Sequence, residues 1–133
     1  DQILQYLEEI KTEKDLSMLL ITHDISVVFE TCDSLSILHG GQVAESGSAT
    51  ALFDSPSHPY THLLQQAFPD IRSPDRELQT IDGEPPQLRE NVNYCTFADR
   101  CPWSKPECRA ESPPLEIVEG TTGKHTAVRR AGK

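Results

Sequence analysis

The sequence predicts an α/β fold in its first half, followed by an irregular segment rich in proline and cysteine. A short apolar run at residues 17–22 ends in a polar Thr-His-Asp tip, and a helical pattern begins at once. Such short runs, with helices on either side, are typical of buried strands in parallel sheets. All ten prolines lie at Pro56 or beyond. We therefore expect a compact first part and a second part in which proline interrupts regular structure.

Two helices are predicted around this strand by apolar residues at helical spacing. The first covers residues 2–11, with one apolar stripe formed by Ile3, Leu4, Leu7 and Ile10. The second covers residues 25–31, directly after the tip, and Asp24 or Thr22 is expected to cap its first turn. Cys32, which follows it, is expected to be a small buried apolar residue.

A β-hairpin and a further helix are expected next. Two short strands, 35–39 and 42–46, flank a Gly-Gly pair. Such a pair favours a tight hairpin turn, because both central residues of that turn need a positive φ angle. A helix over residues 49–53 follows, with Ser48 as its N-cap.

The last helix of the first half is predicted to open at Pro59. Proline suits the first helical position, where the missing N–H is not needed. His58 and His62 are four residues apart, a spacing that can bind zinc on one helical face. Because Pro59 leaves His58 outside the helix and no acidic partner is evident, we do not expect a zinc site there.

The chain is predicted to divide into three parts. Residues 1–68 form the α/β domain, residues 69–80 a linker and residues 81–133 a C-terminal extension. The linker is inferred from polar, charged and proline-bearing sequence. One short extended piece is expected at 78–81.

Charge and hydropathy exclude several classes of function. The net charge is −9, whereas nucleic-acid binding needs a basic surface. No apolar run has the length needed to span a membrane, and the first residues resemble no signal peptide. There is no initiator Met, so we expect the chain to begin inside a longer protein.

His23 is the first candidate functional residue. It stands at the end of a predicted strand, where ligands bind in open α/β sheets, and beside a helix N-terminus, which favours anions. A histidine at a strand end is also common as a plain turn residue. Position alone therefore leaves both interpretations open.

Three segments resemble the ATP-binding cassette (ABC) transporter ATPases. The letters Leu-Ile-Thr-His-Asp at 20–24 resemble the switch-histidine motif of that family, with His23 as the histidine. Residues 32–47 resemble the closing hairpin of the ATPase domain. Residues 55–61, Ser-Pro-Ser-His-Pro-Tyr-Thr, resemble the signature of the oligopeptide, dipeptide and nickel importer branch.

The resemblance implies a function for the complete protein. ATP, with Mg²⁺, would lie between two ATPase subunits on the inner, cytoplasmic face of the membrane, and its hydrolysis would power import of peptides or nickel through permease subunits. His23 would contact the γ-phosphate. The chain has no phosphate loop, no Leu-Ser-Gly-Gly-Gln signature and no Walker B acidic residue. We therefore expect it to be inactive alone, with an exposed sheet edge that allows a homo-oligomer.

Three clustered cysteines are the second candidate site. Cys95, Cys101 and Cys108 are separated by five and six residues. In a chain of cytosolic character, such thiols suggest zinc or an iron–sulfur cluster before disulfides. Free buried thiols, or one disulfide and an odd cysteine, are the alternatives.

The resemblance extends to these cysteines, but incompletely. Residues 94–115 resemble the C-terminal extension of the importer ATPases, some of which hold an iron–sulfur cluster on four cysteines. Here the fourth cysteine is missing, since Val128 or Arg129 stands in its place and His125 is the nearest substitute. The alternative to an ATPase fragment is a non-enzymatic metal-binding or structural interaction module.

Overall fold

The computed structural model contains both helices and strands and describes residues 2–68, 78–87, 92–119 and 125–129. For 125–129 only the backbone is described. The elements, in chain order, are α1 (Gln2–Glu13), α2 (Ile25–Thr31), β1 (Ser34–His39), β2 (Gln42–Ser48), α3 (Ala49–Asp54), α4 (Pro59–Ala67), α5 (Pro106–Ala110), β3 (Leu115–Glu119) and β4 (His125–Arg129). The predicted mixture of helices and strands is confirmed.

Local capping explains where the first helices begin. Asp24 caps α2, because its side chain accepts hydrogen bonds from two backbone N–H groups of the first turn. Ser48 caps α3 in the same way, through a 3.2 Å bond from the N–H of Ala51. His58 caps α4, and Pro59 occupies its first position. All three helix starts agree with the sequence.

One antiparallel sheet contains every strand described, in the order β1-β2-β4-β3. Gly40 and Gly41 form the β1–β2 turn with φ of 54° and 75°, as the hairpin prediction requires. The expectation of a parallel sheet is wrong for the described residues. Neighbouring strands joined by a tight turn can pair only antiparallel, whereas parallel pairing needs a long crossover.

The predicted strand at residues 17–22 is not formed. These residues are neither helix nor strand, and Leu19 and Ile21 are each 88% exposed. An apolar run becomes a buried strand only when neighbouring strands and a covering layer are present. No strand in the described part of the chain pairs with it, so the run stays irregular and largely exposed.

The C-terminal extension contains more regular structure than the sequence suggested. It forms α5 and two strands, β3 and β4, and β4 pairs with β2 of the first half. The expectation of an irregular extension is therefore wrong in part. Residues 78–81 form no strand, and most of the predicted linker, residues 69–77, lies outside the described residues. The division into domains stays a prediction.

Two apolar clusters form the core. One lies under α2 and α3 and contains Leu35, Ala49 and Leu52, with Cys32 packed against it. The other is built by the extension and contains Cys95, Phe97, Ala98 and Cys108, packed against Tyr60 and Leu63 of α4. Within the described ranges no helix combines the length and apolarity needed to cross a bilayer.

Candidate functional site

His23 lies in a turn whose backbone is held on both sides. The hydroxyl of Thr22 accepts a 3.1 Å bond from the N–H of Asp24. The carboxylate of Asp24 in turn accepts from the N–H groups of Ser26 and Val27, at 3.0 and 3.5 Å. The side chain of His23 itself is exposed. The turn therefore presents an imidazole on a fixed backbone, free to meet a group outside the described residues.

An apolar groove begins beside this turn. It runs between α1, the irregular segment before His23, α2 and β1, and its lining includes Leu4, Leu7, Leu20, Val28 and Leu35. Met18, Leu19 and Ile21 are exposed at its border. The residues of the switch-histidine motif thus lie at the edge of an uncovered apolar surface.

A second group of polar residues is buried between the hairpin and the extension. The Nδ1 atom of His39, at the end of β1, lies 2.9 Å from the hydroxyl of Thr96. The same hydroxyl donates a 2.9 Å bond to the carbonyl of His39. The rings of Tyr60 and Phe97 contact the His39 ring edge-on, at 4.6 and 5.2 Å between centroids. His39 therefore joins β1 to α4 and to the extension.

Glu45 and His58 form a buried link between β2 and α4. The carboxylate oxygens of Glu45 accept from the backbone N–H groups of Ser57 and His58, at 2.9 and 3.0 Å. The Nδ1 atom of His58 accepts a 3.0 Å bond from the N–H of Tyr60. These bonds satisfy the backbone N–H groups of His58 and Tyr60 at the start of α4, and that of Ser57 in the preceding loop.

Burial changes the protonation of these groups. It lowers the pKa of His39 from 6.5 to about 4, and the positive charge of Arg100 acts in the same direction. It also lowers the pKa of His58 from 6.5 to about 4, with His39 as a further cause. Burial raises the pKa of Tyr60. At neutral pH both imidazoles and the phenol are therefore uncharged.

The three predicted cysteines are brought together but not as a ligand set. Cys95 and Cys108 are buried beside Phe97, and the N–H of Cys95 donates a 2.9 Å bond to the carbonyl of Cys108. Burial is the main cause that raises the pKa of Cys101, and the other two thiols add to it. None of the described His, Cys, Asp and Glu side chains forms a group of three or more that could hold a metal ion.

Within the described residues the thiols therefore form no group suited to the predicted zinc or iron–sulfur site, and no chemical step is derived from one. The metal role of Cys95, Cys101 and Cys108 stays a prediction. Cys95 and Cys108 are buried in the extension core, and the Cys108 thiol accepts a 3.3 Å bond from the N–H of Lys105. The His58–His62 pair is not formed either, because His58 Nδ1 caps α4 and His62 Nε2 lies 2.9 Å from the amide nitrogen of Gln66. The side chain of His125 lies outside the described ones.

Sequence reasoning missed the buried polar residues His39, Glu45 and Thr96. His39 and Glu45 were placed within the hairpin strands, where nothing in the alternation distinguishes a buried polar residue from an exposed one. Thr96 carries no local signal, because its partner is 57 positions away in the chain.

Comparison with known proteins places the chain among transporter components. Residues 44–108 match the family described as "Oligopeptide/dipeptide transporter, C-terminal region". The chain is 35% identical over 117 residues to the dipeptide transport ATP-binding protein DppD of Escherichia coli, covering 88% of this chain and 36% of that protein. It is 38% identical over 115 residues to the oligopeptide transport ATP-binding protein OppD of Salmonella typhimurium, covering 86% and 34%.

A third relative comes from Bacillus subtilis. The DppD protein of Bacillus subtilis is 41% identical over 101 residues, which cover 76% of this chain and 30% of that protein. The chain thus spans about a third of the length of the curated relatives it matches.

These similarities define a class. The chain is homologous to the ATP-binding subunits of ABC transporters. Within that class it belongs to the oligopeptide/dipeptide transporter family and corresponds to the C-terminal part of its ATP-binding proteins.

Proposed function

We propose that this chain is the C-terminal part of the ATP-hydrolysing subunit of a peptide importer, and that His23 contacts the γ-phosphate of ATP there. The observation that carries the proposal is the His23 turn. Its backbone is held by Thr22 and Asp24, while the imidazole is exposed toward whatever lies beyond the described residues. A residue that must meet a phosphate on another part of the protein needs both properties.

ATP and Mg²⁺ belong to this proposal only through His23. The chain carries no phosphate loop, so it offers no cradle of backbone N–H groups for the phosphates. When bound in the complete subunit, the Mg²⁺ neutralises phosphate charge. The described residues contribute the His23 side chain to that site, and the hydrogen bonds of Thr22 and Asp24 hold the backbone of the His23 turn in place. The iron–sulfur cluster is not part of the proposal, because the described side chains include no group of three or more that could hold a metal ion.

The partners proposed are permease subunits and a second ATPase subunit, at the cytoplasmic face of the membrane. The names of the relatives, which are dipeptide and oligopeptide transport proteins, favour peptides as the transported solute. The net charge of −9 supports the absence of nucleic acid among the partners.

The test uses the complete parent subunit. We expect its reading frame to contain a phosphate loop upstream of Asp1. The His23→Ala variant should lose ATP hydrolysis by about 100-fold or more, because a positioned polar contact to the transferred group is removed. ATP binding, measured with a fluorescent nucleotide, should change far less.

A matched control is available on α4. His62 is not part of the proposed site, so the His62→Gln variant should retain hydrolysis within about two-fold. A parent frame without a phosphate loop would contradict the proposal. So would a His23→Ala subunit that hydrolyses ATP at the unmodified rate.

A further inference from the structure

Four aromatic rings meet where the extension contacts the first half of the chain. Phe97 of the extension is 1% exposed and lies at the centre. Its ring centroid is 5.2 Å from that of His39, 5.1 Å from that of Tyr60 and 6.3 Å from that of His58. We call these four residues the ring cluster. It connects β1, α4 and the extension, and it takes no part in the proposed ATP chemistry.

Hydrogen bonding fixes the tautomer of His39. The hydroxyl of Thr96 has one proton, and it donates that proton to the carbonyl of His39. The 2.9 Å contact between this hydroxyl and His39 Nδ1 therefore requires Nδ1 to carry the hydrogen. Nε2 is then left as a bare lone pair. It is buried and has no hydrogen-bond partner among the described residues.

Protonation of His39 would consequently disrupt its surroundings. The second proton can only go to Nε2, where it would form a buried, charged N–H group with no acceptor beside it. A buried charge without a partner is strongly unfavourable. The imidazole can become charged at low cost only if the ring cluster opens to water.

His58 is held neutral by a different device. Its Nδ1 atom accepts the 3.0 Å bond from the N–H of Tyr60 that caps α4. A proton on Nδ1 would remove this acceptor and set two N–H groups against each other. Protonation of His58 would therefore remove the N-cap hydrogen bond of α4, the helix that places Tyr60 in the ring cluster.

Among the described residues no carboxylate forms an ion pair with either imidazole ring. Arg100, from the extension, acts against a positive charge on His39. Both carboxylate oxygens of Glu45, from β2, accept backbone N–H groups. From α4 the phenol of Tyr60 faces His39, and the thiols of Cys95, Cys101 and Cys108 pack on the Phe97 side.

We propose that the ring cluster is an acid-sensitive clamp: neutral His39 and His58 hold the Phe97 segment against the hairpin and α4, and their protonation releases it. In the closed state, with the Phe97 segment in place, the charged form of each imidazole is unfavourable. In the open state, with the segment released into water, it is not. Stability of the closed form is therefore complete above about pH 6.5, and falls as the pH drops from 6.5 toward 4, where both groups would charge even in the closed form.

The first test is made on the unmodified 133-residue chain by ¹⁵N nuclear magnetic resonance at pH 7.5. We expect His39 to carry its hydrogen on Nδ1 and His58 to carry it on Nε2. Both should stay neutral well below pH 6. The opposite tautomer at either residue, or ordinary titration near pH 6.5, would overturn the proposal, as would a chain in which the cluster is not folded at pH 7.5.

The second test measures release of the extension. The N–H of Cys95, bonded to Cys108, reports on the extension, and the N–H of Lys14, bonded to Ile10, reports on α1. The amide exchange rate at each pH is divided by the exchange rate of an unstructured chain at that pH, which removes the intrinsic pH dependence of exchange. Between pH 7.5 and pH 5, opening at Cys95 should rise by about 10- to 30-fold for each histidine. Opening at Lys14 should change far less.

Variants that keep the hydrogen bonds but cannot titrate provide the decisive comparison. Asn can donate where His39 Nδ1 donates, and it is a good N-cap acceptor in place of His58. The His39→Asn/His58→Asn chain should therefore lose the pH dependence at Cys95. The matched control, His23→Gln, removes an exposed imidazole and should keep it. An unchanged pH dependence in the double variant would overturn the proposal, and the tautomer measurement decides the matter if that variant does not fold.

Discussion

Thr61 has a fully buried side chain whose hydroxyl has no hydrogen-bond partner among the described residues. It lies on the inner face of α4, one residue after Tyr60. Buried hydroxyls without partners are unfavourable, because the water that solvated them is not replaced. Because Thr61 follows the His-Pro-Tyr motif, its position in the first turn of α4 was predictable from the sequence. The lack of a hydrogen-bond partner for its hydroxyl was not predictable.

Replacement of Thr61 by valine should stabilise the chain. Valine has the same shape and also branches at Cβ, but it has no hydroxyl to desolvate. We expect the free energy of unfolding in urea to rise by about 1 kcal/mol. Thr31→Val is the matched control, because the Thr31 hydroxyl donates a 2.7 Å bond to the carbonyl of Val27. That variant should gain nothing, and a loss of stability in Thr61→Val would show that its hydroxyl is bonded.

At the scale of elements, α2 depends on one capping residue. The helix has only seven residues, so the N–H groups of its first turn are a large share of its backbone donors. Asp24 satisfies two of them and also fixes the end of the His23 turn. The start of the helix and the position of the imidazole are therefore set by the same carboxylate.

The Asp24→Ala variant should lose about 0.5–2 kcal/mol of unfolding free energy, the usual cost of removing an N-cap. Thermal unfolding followed by circular dichroism measures it. Glu30→Gln is the control, since Glu30 is an exposed residue of the same helix and should change stability by less than about 0.5 kcal/mol. Equal stability of the Asp24→Ala and Glu30→Gln chains would show that the cap does not hold α2.

The element that failed to form is equally informative. Residues 17–22 have the composition of a buried strand, yet Leu19 and Ile21 are 88% exposed. A strand is stabilised by hydrogen bonds and side chains from its neighbours. The β1–β2 hairpin, in contrast, contains its own partner and its own turn, so its sequence was sufficient to predict it.

At the scale of the whole molecule, Phe97 connects parts that are far apart in the chain. Its ring contacts β1 and α4, and it shares a cluster with Cys95 and Cys108 of the extension. A chain of this size has only about 5–15 kcal/mol of stability. One central ring therefore accounts for a large part of the attachment of the extension.

The Phe97→Ala variant should lose about 3–5 kcal/mol, the usual result of emptying a buried aromatic site. Urea unfolding should show either a lower midpoint or separate release of the extension. Trp103→Ala is the control, because that ring is 54% exposed and should cost about 1 kcal/mol or less. Similar losses in the two variants would contradict the central place of Phe97.

The sequence by itself determined the family, the polar turn at His23, the helix starts and the hairpin. Each of these depends on residues close together in the chain: Asp24 beside its helix, Gly40 and Gly41 in their turn, and Pro59 at its first position. Their backbone preferences and short hydrogen bonds act before any distant contact is made.

Only the tertiary structure decided the order of the antiparallel sheet, the exposed run before His23, the burial of Cys95 and Cys108 and the burial of His39 beside Thr96. These features join residues tens of positions apart, and long-range packing leaves no periodic trace in the sequence. A polar residue in a strand looks the same whether its neighbour across the fold is water or Thr96. The protonation of His39 and His58 follows from that burial, so it too is a property of the folded chain.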